Sequence, residues 1–250
     1  MKLLILAAGY ATRLYPLTQN TPKPLLPVGG QPMINNVIER VTTIPGLNEI
    51  LIVTNHKFTP HFQTWASNYT IIHPRYRITI IDDGSTDDSN KLGAIGDIHF
   101  VIRQGHVGDQ DLVVVAGDNL FTESLKGFGE YCQQIHAPVL AVYDVGNLEE
   151  IKKYNSISLD TDGRITFFEE KPNTPTTTLT GIALYYFPRH IVPLFDTYIQ
   201  EGNNPDQPGR FIQWLYPRTP VYTWRVPGKW FDIGSKETLE EVNRYFARYY

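Results

Sequence analysis

The sequence is short of cysteine, of long apolar runs and of excess charge, and each scarcity removes a class of protein. A single cysteine, Cys132, leaves no internal disulfide and no multi-cysteine metal site. Its neighbours Tyr131 and Gln133 offer no activating group, so a passive thiol is expected. No apolar stretch approaches the ~18 residues that a membrane-spanning helix needs. The opening MKLLILAAGY mimics a secretory leader, but Leu3–Ala8 is at the short limit for one and Arg13 and Lys23 follow closely. A cytoplasmic protein with no membrane partner is therefore expected. Lys plus Arg is 22 against 26 for Asp plus Glu, a net charge of −4, which argues against a nucleic-acid or anionic-lipid binder and leaves room for a local basic pocket. The histidines show no metal-like pairing; His56 and His106 read as loop hydrogen-bonders. Neither a Gly-x-Ser-x-Gly elbow nor a His-Glu-x-x-His motif occurs.

What is present is the raw material of one large α/β unit. A chain of 250 residues buries enough surface to need no disulfide or metal staple. Leu3–Ala7, Glu49–Thr54, Ile78–Ile81 and Leu112–Ala116 read as buried strands. Between them Met33–Ile44, Thr59–Asn68 and Lys91–Arg103 carry helix-like spacing; Ile34, Val37, Ile38 and Val41 fall on one face. Strands separated by helices imply parallel βαβ units in a doubly wound sheet, whose ligands gather at the carboxyl ends of the strands. Those ends read Ala8-Gly9-Tyr10-Ala11-Thr12-Arg13, Asp82-Asp83-Gly84-Ser85 and Gly117-Asp118-Asn119. In the second half Ile157–Leu159, Ile165–Glu169, Leu179–Phe187 and Val221–Arg225 look like antiparallel additions to the same sheet without full crossover helices. Gly202–Gly209 reads as a loop and Ser235–Tyr250 as a helix capped by Ser235, with Leu239, Val242 and Phe246 on one face. The expectation is a single domain over 1–250, with a nucleotide-binding half at 1–145 and a β-rich lobe with the C-terminal helix at 146–250.

Each chemical motif has a bland reading beside the functional one. A glycine turn after a strand lets backbone N–H groups approach a polyphosphate, and Arg13 adds a planar fork; alone it is a turn with a surface cation. Lys23 lies between Pro22 and Pro24, which stiffen the backbone and fix where the ammonium points. Asp118, behind a glycine at a strand end, suits a hard divalent cation or a helix cap. Glu170-Lys171-Pro172 ends an aromatic strand, where the pair can meet sugar hydroxyls and a phosphate or form a solvated salt bridge. Asp232, between apolar residues, requires a cation or strong donors, or serves the start of the helix at Ser235. The acidic run Asp82–Asp88 is most simply a solvated loop.

Taken in order, these pieces resemble a known family. The run LAAGYATRLYPLTQNTPKPLLPVGGQPMI is similar to the N-terminal signature of the sugar-1-phosphate nucleotidylyltransferases, and GDN, FEEKP, TGIALYYF and WFDIGS resemble its later motifs in the family's order. The resemblance implies a Rossmann-like α/β fold with a mixed, mainly parallel sheet flanked by helices and a β-rich sugar-binding lobe. It places the nucleotide on the Leu6–Gly9 turn, including Ala8, with Arg13 on the β- and γ-phosphates and Lys23 near the α-phosphate. It gives Mg2+ to Asp118 and Asp232, sugar hydroxyls to Glu170 and the sugar phosphate to Lys171, and it lines the sugar pocket with Asn155 and with Thr180 and Gly181. Arg13, Lys23 and Lys171 are then the catalytic candidates. Ala11 stands where the family often has a second glycine. The glutamine-proline segment that reads the base is missing; Asp82, Asp83 and the Leu92-Gly93-Ala94 stretch occupy its region, so base choice rests either on Asp82 or Asp83 or on backbone near Gly93. No left-handed hexapeptide-repeat extension is present, so an acetyltransferase half is not expected.

The implied reaction is attack of a sugar-1-phosphate oxygen on the α-phosphorus of an NTP, a pyrimidine nucleotide by the look of the N-terminal signature, releasing pyrophosphate. Three other readings stay open: a cytidylyltransferase acting on a phosphorylated polyol, a non-catalytic sugar-nucleotide-binding subunit and a glycosyltransferase. The second should have lost Arg13, Lys23, Asp118 or Asp232, and the third usually carries Asp-x-Asp where this chain has Gly-Asp-Asn. Tyr245, Phe246, Tyr249 and Tyr250 on the last helix offer a surface for a homo-oligomer.

Overall fold

The computed structural model describes residues 1–248; Tyr249 and Tyr250 lie outside the described residues. The chain runs through β1 (Lys2–Leu6), a short hairpin of β2 (Pro27–Val28) and β3 (Gln31–Pro32), α1 (Met33–Val41), β4 (Glu49–Thr54), α2 (Thr59–Ile72), β5 (Ile78–Asp82), α3 (Ala94–Arg103) and β6 (Leu112–Ala116). It continues through β7 (Asn119–Phe121), α4 (Lys126–Ile135), β8 (Val139–Asp144), α5 (Leu148–Ile151), β9 (Asn155–Leu159), β10 (Ile165–Glu170) and β11 (Leu179–Phe187). The last stretch holds α6 (Leu194–Gln200), α7 (Gly209–Leu215), β12 (Tyr222–Arg225), β13 (Trp230–Asp232) and α8 (Lys236–Phe246).

The main sheet is seven-stranded, in the order β12-β8-β11-β6-β1-β4-β5. β5, β4, β1 and β6 are parallel, as the βαβ pattern requires, and β11 runs antiparallel to both β6 and β8. A parallel strand is buried on both faces, which is why β1 reads as an unbroken apolar run. Leu3 and Ile5 enter the core beneath α1 and α2, while Leu4 enters the core beneath α3, α6 and α7. The segment that mimics a leader is thus the centre of the sheet. After β5 the chain returns to the other side of β1 to form β6, so the strand order reverses between β1 and β6. The crevice at their carboxyl ends is where such sheets bind ligands.

The second half departs from the sequence reading in three ways. β9 and β10 form a separate two-stranded hairpin rather than joining the main sheet. β12 does join it, but parallel to β8 rather than antiparallel. Strand β8 and helices α4, α6 and α7 have no counterpart in that reading. Boundaries moved as well: α1 stops at Val41, α2 runs on to Ile72, and α3 starts at Ala94 because Gly93 holds φ 80°, outside the helical range. Gly209 belongs to α7 rather than to the preceding loop. Ser235 does cap α8, in a reciprocal box with Thr238. Val242 and Phe246 are buried in the core and Tyr245 packs on Phe231 at 5.2 Å between ring centres, so this part of the aromatic face is used within the chain. Among the described residues no helix is long and apolar enough to cross a membrane.

Candidate active site

The carboxyl ends of β1 and β6 open into a cavity of about 590 Å³ walled by both halves of the chain. Its floor begins where β1 ends. Ala8 and Gly9 line it, and Ala11 bends the chain with φ 49° into the 3-10 turn that carries Arg13. A left-handed alanine costs about 1–2 kcal/mol, and the hydrogen bond from Thr18 Oγ1 to the Ala11 carbonyl at 2.8 Å helps hold it there. Replacing the family's glycine by alanine therefore changes the residue and keeps a sharp turn. At the end of β6, Gly117 allows a close approach: a Cβ there would lie a tight 3.0 Å from Pro24 and 3.1 Å from the Leu6 carbonyl. That close approach brings the Pro22–Pro24 turn against the strand end and seats the Lys23 ammonium 2.6 Å from Asp118 Oδ2.

Asp232 joins them through the short pair β7–β13. Its register sets Asp232 opposite Asn119, the residue after Asp118, and Trp230 Nε1 donates to Asn119 Oδ1 at 2.7 Å to pin the two strands. Asn119 in turn donates to Asp118 Oδ1 at 3.0 Å. Burial works to raise Asp118, but the Lys23 ammonium, joined by the Asn119 amide and a backbone donor, holds the carboxyl below its ordinary value. Asp232 is pushed up to about 6 by burial and then by the charge of Asp118, with Lys23 and Arg13 only partly offsetting both. Two carboxylates thus face one space with less positive charge than they need. Among the described residues no group of three or more His, Cys, Asp or Glu is arranged for a metal, so a cation there would rest on this pair.

The far wall comes from β9, β10 and β11. Asn155 spends its amide on bracing β9 to β11: Oδ1 accepts from the Gly181 N–H at 2.7 Å and from Thr180 Oγ1 at 3.1 Å, and Nδ2 donates to the Gly181 carbonyl at 3.0 Å. Asn155 and Gly181 line the cavity, while Thr180 is fully buried behind them. Glu170 also lines it; its Oε2 is buried without a hydrogen-bond partner, and burial pushes the carboxyl up to about 7 against the pull of Lys171 and Arg210.

Two further expected residues lie off the cavity wall. Lys171 is exposed and is not part of the wall; its backbone is left-handed at φ 49° and its N–H donates to the Tyr154 carbonyl at 2.7 Å. Lys153, which sequence reasoning passed over, lines the cavity instead. Asp83 is buried and does not reach the cavity, because its Oδ1 is turned toward Ser85; Asp82 is taken by His56 at 2.7 Å. The wall there belongs to Gly93, Ala94 and the unforeseen Asp97. Lys91 bridges Asp88 at 3.3 Å and Asp206 at 3.6 Å, tying the two sides of the mouth. Cys132 is buried and its thiol is pushed up by burial, as a passive thiol should be.

A strand-end glycine turn with an arginine, a lysine locked on an aspartate and a second aspartate thus line one open cavity at the switch point of an α/β sheet. The chain belongs to the Nucleotidyl transferase family, whose model matches residues 2–248. It is similar to the bifunctional protein GlmU of Methanocaldococcus jannaschii, 27% identical over 246 residues covering 98% of this chain and 54% of that one. It is also similar to glucose-1-phosphate thymidylyltransferase of Neisseria meningitidis serogroup A, 26% identical over 252 residues covering 97% and 81%. The chain spans about half the length of the GlmU relatives it matches. Among solved structures, UDP-glucose pyrophosphorylase complexed with UDP-glucose shares the fold at a TM-score of 0.83 and 23% identity, over 100% of this chain and 99% of that one.

Proposed function

We propose that the protein transfers a nucleotidyl group from an NTP, with a pyrimidine base favoured, to a sugar 1-phosphate, giving an NDP-sugar and pyrophosphate in a Mg2+-dependent reaction in the cytoplasm. The observation that carries this reading is the meeting of Lys23, Asp118 and Asp232 at one end of a cavity whose other wall presents Glu170. The family description and the name of the thymidylyltransferase relative support the same reaction class.

In this reading an oxygen of the sugar phosphate forms a bond to the α-phosphorus while the bond to the bridging oxygen of the leaving pyrophosphate breaks. No protein nucleophile is needed. The chain's work is to align two anions that repel each other and to neutralise the charge that shifts toward the leaving group. Arg13 takes the β- and γ-phosphates and Lys23 the α-phosphate, where its charge counts most in the transition state. Glu170, whose carboxyl burial pushes up to about 7, accepts from or donates to sugar hydroxyls. Lys153 on the wall, with Lys171 beyond the rim, faces the incoming sugar phosphate.

Asp118 and Asp232 fit Mg2+. The ion commonly takes one or two carboxylates and completes its shell with water and phosphate oxygens, and the repulsion that raises Asp232 is what a divalent cation would relieve. When bound, the ion supplies charge neutralisation at the reacting phosphates. The test is pyrophosphate release from a matrix of UTP, dTTP, CTP, ATP and GTP against several sugar 1-phosphates and a phosphorylated polyol, with Mg2+ and with chelator. Release from pyrimidine nucleotides and a sugar 1-phosphate, abolished by chelation, is expected. No pyrophosphate from any pairing would defeat the reading.

A further inference from the structure

The main sheet has two edges, and the chain closes only one of them. Beyond β12 the Gly163–Ile165 turn covers the edge. The Thr223 N–H donates to the Gly163 carbonyl and the Ile165 N–H to the Val221 carbonyl, each at 2.9 Å, and Arg164 is bridged to Tyr222. At the other end β5 pairs with β4 alone, and among the described residues no strand lies beyond it.

The ladder to β4 fixes which groups of β5 are spare. The Ile50 N–H donates to the Arg77 carbonyl and the Asp83 N–H to the Thr54 carbonyl, each at 2.9 Å. Ile50 stands opposite Ile78 and Thr54 opposite Asp82, in parallel register without a bulge. In such a ladder alternate residues bond to the same neighbour, so Arg77, Thr79, Ile81 and Asp83 direct their main-chain groups to β4. The N–H and C=O groups of Ile78, Ile80 and Asp82 point away from the sheet. Exposed edges are commonly guarded by lysine, proline or a bulge. Ile78-Thr79-Ile80-Ile81 has none of these, and all but Ile81 are half-buried. Ile71 and Ile72 end the helix that leads into this strand. At 79% and 73% they are the most exposed large apolar side chains among the described residues.

Charge indicates what fits the edge. Arg75-Tyr76-Arg77 precedes the strand and Asp82-Asp83 ends it, with Asp87 and Asp88 beyond. A strand that is basic at its start and acidic at its end complements a copy of itself running the opposite way.

We propose that the free edge of β5 pairs antiparallel with β5 of a second copy of this chain, joining two seven-stranded sheets across a two-fold axis. The spare groups allow hydrogen-bonded pairs only among Ile78, Ile80, Asp82 and residues in step with them. A two-fold at Ile80 would set Ile78 against the charge of Asp82. A two-fold at Thr79 sets Ile78 against Ile80 on both sides of the axis and Thr79 against Thr79, pairs that favour this register. It also lays Arg75-Tyr76-Arg77 of each copy beside Asp82 of the other. The axis stands perpendicular to the sheet, so α2 of both copies lies on one face, where Ile71 and Ile72 are drawn out of water. One patch serves both partners and the contact closes at two copies, so no fibre grows from it.

None of this depends on what the cavity binds. Sedimentation velocity over a concentration series should show a dimer in equilibrium with monomer. Thr79→Cys is the direct probe. At the axis the two Cα atoms fall about 4.5 Å apart, as in a non-hydrogen-bonded antiparallel pair, within reach of a disulfide. The variant should form a reducible covalent dimer under mild oxidation, and Cys132, the one native cysteine, is buried and does not compete. Arg77→Cys, at a position 79% exposed, should form none, because its two copies lie about 13 Å apart along the ribbon. Ile78→Pro removes an outward N–H at the first residue of the strand, leaves the bonds to β4 in place and should raise the dimer Kd at least about tenfold. If that variant fails to fold, Ile71→Glu combined with Ile72→Glu, both at exposed positions, should raise the Kd by a similar factor.

A wild-type chain still monomeric at about 100 µM would overturn the proposal and leave the edge to a strand of some other protein. A dimer with no cross-link from Thr79→Cys, or with an equal one from Arg77→Cys, would overturn it, as would a Kd indifferent to the folded edge variants.

Discussion

Replacing Asp232 by asparagine should make the ligand-free protein more stable and inactive at once. The carboxyl moves from an ordinary 3.8 to about 6, first through burial and then through Asp118, which corresponds to about 3 kcal/mol between its two protonation states. The sign follows from proton binding. Between those two values the folded chain holds a proton that the unfolded chain has lost, so stability falls as pH rises through that window and stays low above it. Asparagine has the same shape and no charge, so the variant escapes that loss. Near neutral pH its melting temperature should exceed wild type by several degrees, since 1 kcal/mol is worth roughly 2–4 °C in a domain of this size. At about pH 4, where wild-type Asp232 is protonated in the fold, the difference should close. Mg2+ should raise the melting temperature of wild type and much less that of the variant, narrowing the gap at neutral pH. The assay is thermal unfolding across pH, with and without Mg2+, beside pyrophosphate release. A variant no more stable than wild type at neutral pH, or one whose advantage persists unchanged in acid, would refute the account of Asp232 as a buried carboxylate opposed by its neighbour.

Lys23→Met should lower kcat by about a hundredfold or more with a smaller change in KM, because charge at the α-phosphorus grows in the transition state. Steady-state kinetics check this, and an unchanged kcat would remove Lys23 from the chemistry. Lys153→Ala should raise KM for the sugar phosphate about tenfold while Lys171→Ala changes it only a few-fold, as their places on the wall and outside it require; the reverse order would restore the assignment implied by the family motif. Gly93→Ala should destabilise the fold by about 2–4 kcal/mol in denaturant unfolding, since the residue holds φ 80° and its Cβ would meet the Pro205 carbonyl oxygen and Asp206 Cα, both at 2.7 Å.

The parallel core was legible because burial on both faces leaves a mark that needs no tertiary knowledge. β1, β4 and β6 are continuous apolar runs, and the helix between the first two shows a single apolar face. β8 carries the same mark: Val139 through Val142 are buried as completely as β1. The direction of β12 carries none, because a strand's partner and sense depend on the path of the chain before it. Helices α6 and α7 are seven residues each and begin after prolines, too short for periodicity to declare them.

The site divides along the same line. Phosphate-facing residues sit in local motifs, where a glycine, a proline or a strand end constrains the backbone within a few residues of the functional side chain. The pairing of Asp118 with Asp232 instead depends on β7 and β13, three-residue strands from opposite halves of the chain whose register no local pattern could supply. Asp97 is the instructive omission. In Ala94-Ile95-Gly96-Asp97-Ile98 an acidic residue interrupts an apolar helix face, and burying a lone carboxylate is costly enough that a fold keeps one only with a partner, a proton or a ligand. That argument flags Asp232, set between apolar residues, from the sequence alone. Applied to α3 it flags Asp97 equally, and then requires a second group nearby to hold its proton. Asp83, anchored by Ser85 just beyond β5, is the second group whose charge, after burial itself, pushes Asp97 up to about 8. The acidic stretch that looked like solvated surface is therefore two things: an exposed loop, and at Asp83 one buried carboxylate whose purpose becomes visible only when α3 is laid against it.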